Sequence, residues 1–495
     1  MWLLAVETLD LHEFLGTNIP AYGILSHTWN SGEISFAEMK DPERRKSAQR
    51  KPGFNKIAGC RAQAEKDGLA YIWIDSCCID KSSSAELSEA INSMFHWYKQ
   101  AARCYVFLAD VSSGEANLAA LSKSLWFTRG WTLQELLAPE ILWFYANDWT
   151  VLGLKTTVYA QENNGALCHI DSDPEFALHR DLAKDISTIT DIPLEYLNGK
   201  KAISQACLAQ RMYWAAQRMT TRPEDRAYSL MGIFDINMPI LYGEGLEKAF
   251  TRLQREIISR SPDQSIFAWY EARKSSHRLL ADSPGCFRNS GKITQMNRHR
   301  SLRLDTWTNW SSFSMSNLGL EITLPLSTTK SGGQLQWGDS AKAALHCAIE
   351  EPGKASQRIF LDLIFLNSDI SGKSIFMCHR ARKWITGLHP GYPTSVFLSS
   401  NDYISALSAQ KIVKQPQPDM PSSIVSRFMG ILADEMDMDV CELNDELTFA
   451  DLGVDSLMML TIEARIREDL DFDIGNDAFL EHYTIGAFRR FLTSR

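Results

Sequence analysis

Between residues 21 and 148 short apolar runs alternate with longer amphipathic segments. AYGILSHT (21–28), AYIWID (70–75), CYVFLAD (104–110) and EILWFYAND (140–148) are rich in aromatic and β-branched residues and bounded by polar ones. Such unbroken runs suit strands buried on both faces of a parallel sheet, because neither face meets water. Between them the apolar period lengthens. In 85–102 (AELSEAINSMFHWYKQAA) Leu87, Ile91, Met94, Phe95 and Tyr98 recur at the spacing that puts them on one side of a helix. The same reasoning predicts helices over 54–67, ended by Gly68, and over 131–138, stopped by Pro139. Strands alternating with helices predict an α/β doubly wound sheet for about 20–150.

Past residue 200 the pattern changes twice. AISQACLAQRMYWAAQRM, AYSLMGIF and EGLEKAFTRLQREIIS predict a helical part over about 200–260, the last helix entered through a Gly243-Glu244-Gly245 turn. That turn lacks the full glycine pattern of a phosphate loop and the strand that should precede one. From about 285 SFSMSNLGLEITLPLS, AALHCAIE and RIFLDLIFL read as strands of a separate β-rich region, 271–410. QPQPDMPSS (415–423) places three prolines among polar residues and reads as a stiff linker within 411–423. A compact unit, 424–495, follows. Ile424, Phe428, Ile431 and Leu432 share one helix face, and SLMMLTIEARIREDL, NDAFLEH and TIGAFRRFL add three more helices, enough for a four-helix bundle.

The 495 residues are more than one core usually holds, in keeping with several domains. The net charge of -9 is uneven: residues 419–495 hold 17 Asp/Glu against 6 Lys/Arg, and the remainder 43 against 45. No basic stripe of the kind nucleic acid requires is present, and the acidic end suits partners with a basic face. The apolar start, MWLLAVETLDLHEFLG, lacks a cationic segment and is broken by Glu7, and no apolar run reaches the length of a membrane span. The expectation is a cytoplasmic protein with no membrane partner. Ten irregularly spaced cysteines, Cys77 and Cys78 adjacent, read as reduced thiols. Cys168-His169, His346-Cys347 and Cys378-His379 would point to opposite faces if they lie in strands, so no metal site is expected.

By residue type alone Asp455-Ser456 reads as a helix cap. Its surroundings say more. The serine follows a Leu-Gly turn, precedes a helix with Leu457 and Leu460 on one face, and lies in the middle of a strongly acidic helical unit. LGVDSLMML, within 420–493, resembles the acyl carrier protein family, particularly the carriers of fungal polyketide synthases. The resemblance implies that Ser456 receives 4′-phosphopantetheine from a phosphopantetheinyl transferase and that the arm's thiol carries an acyl group as a thioester. A helix start suits that chemistry, because its positive end favours the phosphodiester formed there. Glu463, Glu468 and Asp469 would meet basic patches on the polyketide synthase or other acyl-handling enzymes served. No ketosynthase or acyltransferase segment is recognisable upstream.

Four further blocks carry a second resemblance: YGILSHTW with EISFAEM (22–39), YIWIDSCCIDKSSSAELSEAINSMFHWY (71–98), WFTRGWTLQELLAP (126–139) and RMTTRPEDRAYSLMGIFDINMPILYGEGLEKAFTRLQ (218–254). Together they are similar to the fungal heterokaryon-incompatibility (HET) domain, whose members are linked to non-self recognition and cell death. A HET domain over 1–270 is implied, and that family's relation to Toll/interleukin-receptor (TIR) domains implies a TIR-like core. Some TIR domains cleave NAD with one glutamate. CYVFLADV, a serine-bearing loop and Trp131-x-x-x-Glu135 resemble the TIR arrangement, which makes Glu135 and Asp75 candidate catalytic residues and NAD a candidate ligand. Trp131 and Glu135, four apart, share a helix face; His27, Trp29 and Asp75, at the ends of the first two strands, would line the same crevice. The alternative is structural: Glu135 pairing with Arg129, Asp75 capping the turn into Ser76, Trp29 and Trp131 as core aromatics. The Arg222-Pro223-Glu224-Asp225-Arg226 cluster reads as an ion-pair network at a helix start.

The function expected is that of a phosphopantetheine-dependent carrier in secondary metabolism, fused to a HET domain that docks or regulates. The alternative is a cell-death effector with its activity in the HET part.

Overall fold

The computed structural model describes residues 1–16, 18–115, 117–157, 159–161, 167–169, 178–270 and 278–296. It also describes 313–316, 319–328, 336, 339–351, 353, 354, 356–368, 374–379 and 393–399, then 428, 429, 432, 444–449 and 484–493. Met1–Ser408 forms one compact unit and Ala409–Arg495 a second.

The first unit opens with a seven-stranded mixed sheet: β1 (Trp2–Ala5), β2 (Leu11–Glu13), β3 (Tyr22–His27), β4 (Tyr71–Trp73), β5 (Arg103–Phe107), β6 (Ile141–Tyr145) and β7 (Val151–Thr156). Their order is β2-β1-β4-β3-β5-β6-β7. The four apolar runs supply β4, β3, β5 and β6, which pair in parallel with Tyr22 opposite Tyr71, Ile24 opposite Cys104 and Cys104 opposite Leu142. β1 and β7 join antiparallel at the two sides. Every residue of β3 is buried, as expected of a central strand flanked on both edges.

From β3 the chain passes to β4 on one side, then crosses to β5 on the other. The order therefore reverses at β3, and the crevice beyond the carboxyl ends of β3 and its neighbours is where an open α/β sheet leaves room for a ligand. The crossover helix Ser84–Gln100 starts on Ser83, whose side chain accepts from the Glu86 N–H, and buries Ile91, Met94 and Tyr98. Thr132–Leu137, following Gly130, is a short helix with all six residues buried.

The helical part is more broken than its periodicity predicts. Leu208–Ala215 and Leu246–Arg260 are regular, but AYSLMGIF forms two single turns, Asp225–Tyr228 and Met231–Phe234. Asp235 takes a left-handed conformation (φ 56°) at the end of the second and turns the chain away. Gly243 and Gly245, both at positive φ, form the predicted entry to Leu246–Arg260.

A second seven-stranded sheet runs from Ile293 to Ser399. The pairing of Gly319–Thr328 with both Pro393–Ser399 and Ser340–Ile349 closes five of its strands into a ring. This sheet packs on the helices before it: Cys207 Sγ lies 3.2 Å from Ile293 O, and His346 N–H donates to Gln264 Oε1 at 2.9 Å. The three Cys-His neighbours do lie in strands. Cys60, Cys77, Cys78, Cys104, Cys207, Cys286 and Cys347 form no disulfide.

In the second unit the helix Ile485–Thr493 places Phe488 face to face with Phe428, centroids 4.8 Å apart, and edge-on to Phe449. Phe428, Leu432, Ile485 and Phe488 are fully buried. The predicted linker 411–423, Ser456, the SLMMLTIEARIREDL helix with Glu463, Glu468 and Asp469, and NDAFLEH lie outside the described residues. Among the described residues no helix is long and apolar enough to cross a membrane.

Candidate functional site

A cleft of about 340 Å³ opens beyond the carboxyl end of β3 and is lined by residues from β3, the β4 turn, and the Ser84–Gln100 and Thr132–Leu137 helices. Thr221, Arg222, Asp225 and Tyr242 close it from the helical part. His27, Trp29, Asp75, Trp131 and Glu135, expected in one crevice, all line it.

One wall is organised by Asp75. Its Oδ1 lies 3.1 Å from His27 Nε2, and its Oδ2 accepts from Trp29 Nε1 at 2.7 Å. Burial acts to raise the Asp75 carboxyl, but His27, Lys81 and Trp29 outweigh it and hold the group below the usual carboxylate range. Asp75 is thus the ionised carboxylate of the cleft. Behind the histidine, Lys56 Nζ lies 3.1 Å from Nδ1 and donates to Thr28 O at 2.9 Å, while pairing with Glu33. An ammonium has only protons to offer, so where Lys56 donates to Nδ1 the ring proton is on Nε2, facing Asp75; Nδ1 also lies 3.2 Å from Thr28 O. Trp29 is 47% exposed, with the Lys81 ammonium 3.5 Å from its ring centroid. It is therefore a wall of the cleft rather than a core aromatic.

Glu135 lies deeper, 6% exposed. Its Oε2 accepts from Ser26 Oγ at 2.5 Å, and Trp126 Nε1 donates to that same hydroxyl at 2.7 Å. Burial pushes the Glu135 carboxyl up to about 8; the Ser26 hydrogen bond, the Tyr98 hydroxyl and the Arg218 charge oppose the rise, and the Asp75 charge adds to it. Glu135 is therefore mostly neutral at pH 7. Its expected pairing with Arg129 is not made: Arg129 Nη2 donates to Thr221 Oγ1 at 3.0 Å. The nearby buried cation is Arg218, which donates to Arg129 O at 2.8 Å and Thr132 Oγ1 at 2.9 Å. Burial pushes that guanidinium down to about 9.

The opposite wall is organised by Asp225, which accepts from Trp131 Nε1 at 3.2 Å and Tyr242 OH at 3.0 Å. Burial raises its carboxyl, against those two hydrogen bonds and the Arg222 charge. The Arg222 guanidinium lies 4.0 Å from the Tyr242 ring centroid. This corrects the reading of residues 222–226 as an ion-pair network. Glu224 instead accepts from the backbone N–H groups of Gly243 and Gly245 at 2.9 and 3.1 Å, so its carboxylate fixes the glycine turn.

The geometry sets one ionised and one largely neutral carboxyl group in an aromatic-walled cleft, an arrangement suited to proton transfer and to holding positive charge. Sequence reasoning missed Ser26, Lys56, Lys81 and Arg218. Of these Ser26 had a signal: a serine in an otherwise apolar strand must find a partner when buried.

Residues 22–123 match the heterokaryon incompatibility protein (HET) family, residues 426–492 the phosphopantetheine attachment site family, and residues 248–279 a domain of unknown function, DUF8212. The vegetative incompatibility protein HET-E-1 of Podospora anserina is 44% identical over 281 residues, 55% of this chain and 19% of that protein. The conidial yellow pigment biosynthesis polyketide synthase of Emericella nidulans is 45% identical and the non-reducing polyketide synthase Preu8 of Preussia isomera 49% identical, each over 71 residues. Those 71 residues are 14% of this chain and 3% of each synthase. Both expected resemblances are borne out: the chain carries a HET segment followed by a segment similar to polyketide synthase carriers.

Proposed function

We propose that this chain, which joins a HET segment to a phosphopantetheine attachment segment, works as an acyl carrier. In this reading a phosphopantetheinyl transferase links 4′-phosphopantetheine to the Ser456 hydroxyl. The arm supplies a thiol that tethers an acyl or polyketide intermediate in secondary-metabolite synthesis. The observation that carries the reading is the match over 426–492, with LGVDSLMML inside it and synthase carriers 45% and 49% identical across it. The domain is read as 424–495, a four-helix bundle whose acidic surface meets basic patches on a polyketide synthase. Preceding it are a linker (411–423), a β-rich region (271–410) and a HET domain (1–270) with a doubly wound, TIR-like core. The HET domain docks or regulates, and the protein acts in the cytoplasm. The test is the intact mass of the full chain co-expressed with a fungal phosphopantetheinyl transferase. Wild type should gain one arm and Ser456→Ala none; no addition to wild type, or equal addition to the variant, ends the reading.

The cleft favours a second reading, a HET-type cell-death effector in non-self recognition that hydrolyses the nicotinamide–ribose bond of NAD. Glu135 and Asp75 share that cleft with Trp131. Because burial keeps Glu135 largely protonated, stabilising a cationic sugar would fall to Asp75, with Glu135 holding the sugar as a hydrogen-bond donor; nicotinamide leaves as a neutral base, and the proton released by the attacking water passes to Asp75. Expression in yeast with NAD measurement tests it: Glu135→Ala and Asp75→Asn should both relieve toxicity and NAD loss, and variants as toxic as wild type refute it.

A further inference from the structure

We propose that the cleft binds an aromatic carboxylic acid, its rings lying on an aliphatic floor between aromatic walls and its carboxylate held by Arg129 and Arg222. The inference shares with the second reading the premise that the cleft is a ligand site. It depends on neither the carrier role nor hydrolysis.

Charge is the first argument. Three acids and three cations line the cleft; the acids' oxygens are taken by hydrogen-bond donors, whereas, among the described residues, none of the three cations touches an acid. Asp75 is taken by His27 and Trp29, Asp225 by Trp131 and Tyr242, and Glu135 by Ser26. Among the described residues, no carboxylate oxygen lies within 4.0 Å of a side-chain nitrogen of Lys81, Arg129 or Arg222. Lys81 and Arg222 lie over the Trp29 and Tyr242 rings instead, and Arg129 reaches only the Thr221 hydroxyl. Lys81 and Arg222 act on Asp75 and Asp225 only from a distance; cations with no acid in contact around a cleft attract an anion, and a planar guanidinium fork matches a carboxylate.

The floor decides what the anion is attached to. Ile79, Leu87, Ile91 and Met94 offer the ligand no hydrogen-bonding group from their side chains. A flat hydrocarbon ring system lying there leaves no polar group without a partner. Trp29, Trp131 and Tyr242 supply ring faces and edges above that floor. The volume of about 340 Å³ is at the small end for ligand pockets, which suits a compact fused ring.

The experiment is calorimetric titration of the full chain with three probes: 2-naphthoate, its neutral counterpart 2-naphthalenemethanol, and AMP. Naphthoate should bind saturably and about ten-fold or more tighter than the alcohol. Arg129→Gln and Arg222→Gln should each weaken it by about five- to ten-fold. Lys292→Gln, which removes a cation paired to Glu351 on another surface, should leave binding unchanged. Arg222 is exposed, so its variant keeps the test valid if Arg129→Gln melts early. No saturable naphthoate binding by about 1 mM, equal binding of the alcohol, tighter binding of AMP, or indifference to Arg222→Gln each overturns the inference. NAD consumption followed in the same samples separates the two ideas. A chain that consumes NAD but ignores naphthoate sinks this inference alone, and one that binds naphthoate and spares NAD sinks only hydrolysis.

Discussion

Ser26 Oγ donates to Glu135 Oε2 at 2.5 Å across 109 residues of chain, joining the central strand of the first sheet to the helix that follows Trp131. The hydroxyl has one proton to give. Because Trp126 Nε1 donates to the serine oxygen at 2.7 Å, that proton is directed at the carboxyl group. One small side chain thus satisfies two buried groups at the base of the cleft.

Ser26→Ala should therefore cost more than a single hydrogen bond. It leaves the fully buried Trp126 indole N–H and the Glu135 carboxyl both short of a partner, and a stranded buried polar group costs about 1–3 kcal/mol. Urea unfolding of the full chain should show a loss in that range for the first unit. A loss below about 0.5 kcal/mol would mean that the hydroxyl is not the shared partner.

Glu135 also gives the first unit a pH dependence of predictable sign. An unfolded glutamate titrates near about 4.3, whereas burial lifts the folded group to about 8. Between those values the folded chain keeps a proton that the unfolded chain has lost. The group's contribution is complete below the unfolded value and is lost as pH rises through about 8. Glu135→Gln has no such dependence. Relative to wild type its melting temperature should improve steadily from about pH 5 to pH 8 and then level, by the equivalent of a few kcal/mol. A flat difference would show that Glu135 is ionised in the folded protein.

The sheet was legible because burial on both faces demands unbroken apolar runs, and four such runs became its four parallel strands. The helix carrying Trp131 and Glu135 was legible from four-residue spacing, and so was their shared place in the cleft. β1 and β7 were not. Trp2–Ala5 is too short to show a period, and VLGLKT holds a glycine and a lysine where a strand should be apolar. The polar partnerships were also hidden: Ser26 with Glu135, and Trp131 with Asp225 across 94 residues. Periodicity reports which face a residue occupies, and says nothing of which distant element meets that face. Residues 222–226 show the limit, since mixed charge suggested ion pairs while the fold used the acids on aromatic and backbone donors.

Lys155, in β7, is a test of how much a buried charge costs. It is 1% exposed, and among the described residues its amine reaches only Leu136 O and Pro139 O, each at a long 3.4 Å. Burial pushes the amine down to about 8, against an unfolded value of about 10.4. Between these the unfolded chain holds a proton the folded chain has lost, so wild-type stability gains from this group as pH rises across the window. Lys155→Met keeps the length and removes the charge. It should raise the melting temperature at pH 7 by the equivalent of up to a few kcal/mol, with the advantage shrinking toward pH 10. A variant less stable than wild type at pH 7 would mean that the two carbonyl contacts outweigh the desolvation.

Phe488 carries the corresponding argument for the second unit. Its ring stacks on Phe428 and meets Phe449 edge-on, all three side chains essentially out of solvent, so it joins three separate parts of a small core. The exposed Arg489–Asp445 pair at 2.7 Å adds little, because surface ion pairs contribute about 0–1 kcal/mol. Truncating a buried Phe to Ala costs about 3–5 kcal/mol, against a total of roughly 5–10 kcal/mol for a domain this small. Phe488→Ala should therefore abolish hydrogen-exchange protection over 484–493 and leave that of Tyr22–His27 and Arg103–Phe107 unchanged. Arg489→Ala should do neither. If the carrier reading is right, Phe488→Ala should also take up less phosphopantetheine with Ser456 intact, because a transferase that needs a folded helix start finds none. Full protection over 484–493 in Phe488→Ala would show that the three rings do not hold this unit together.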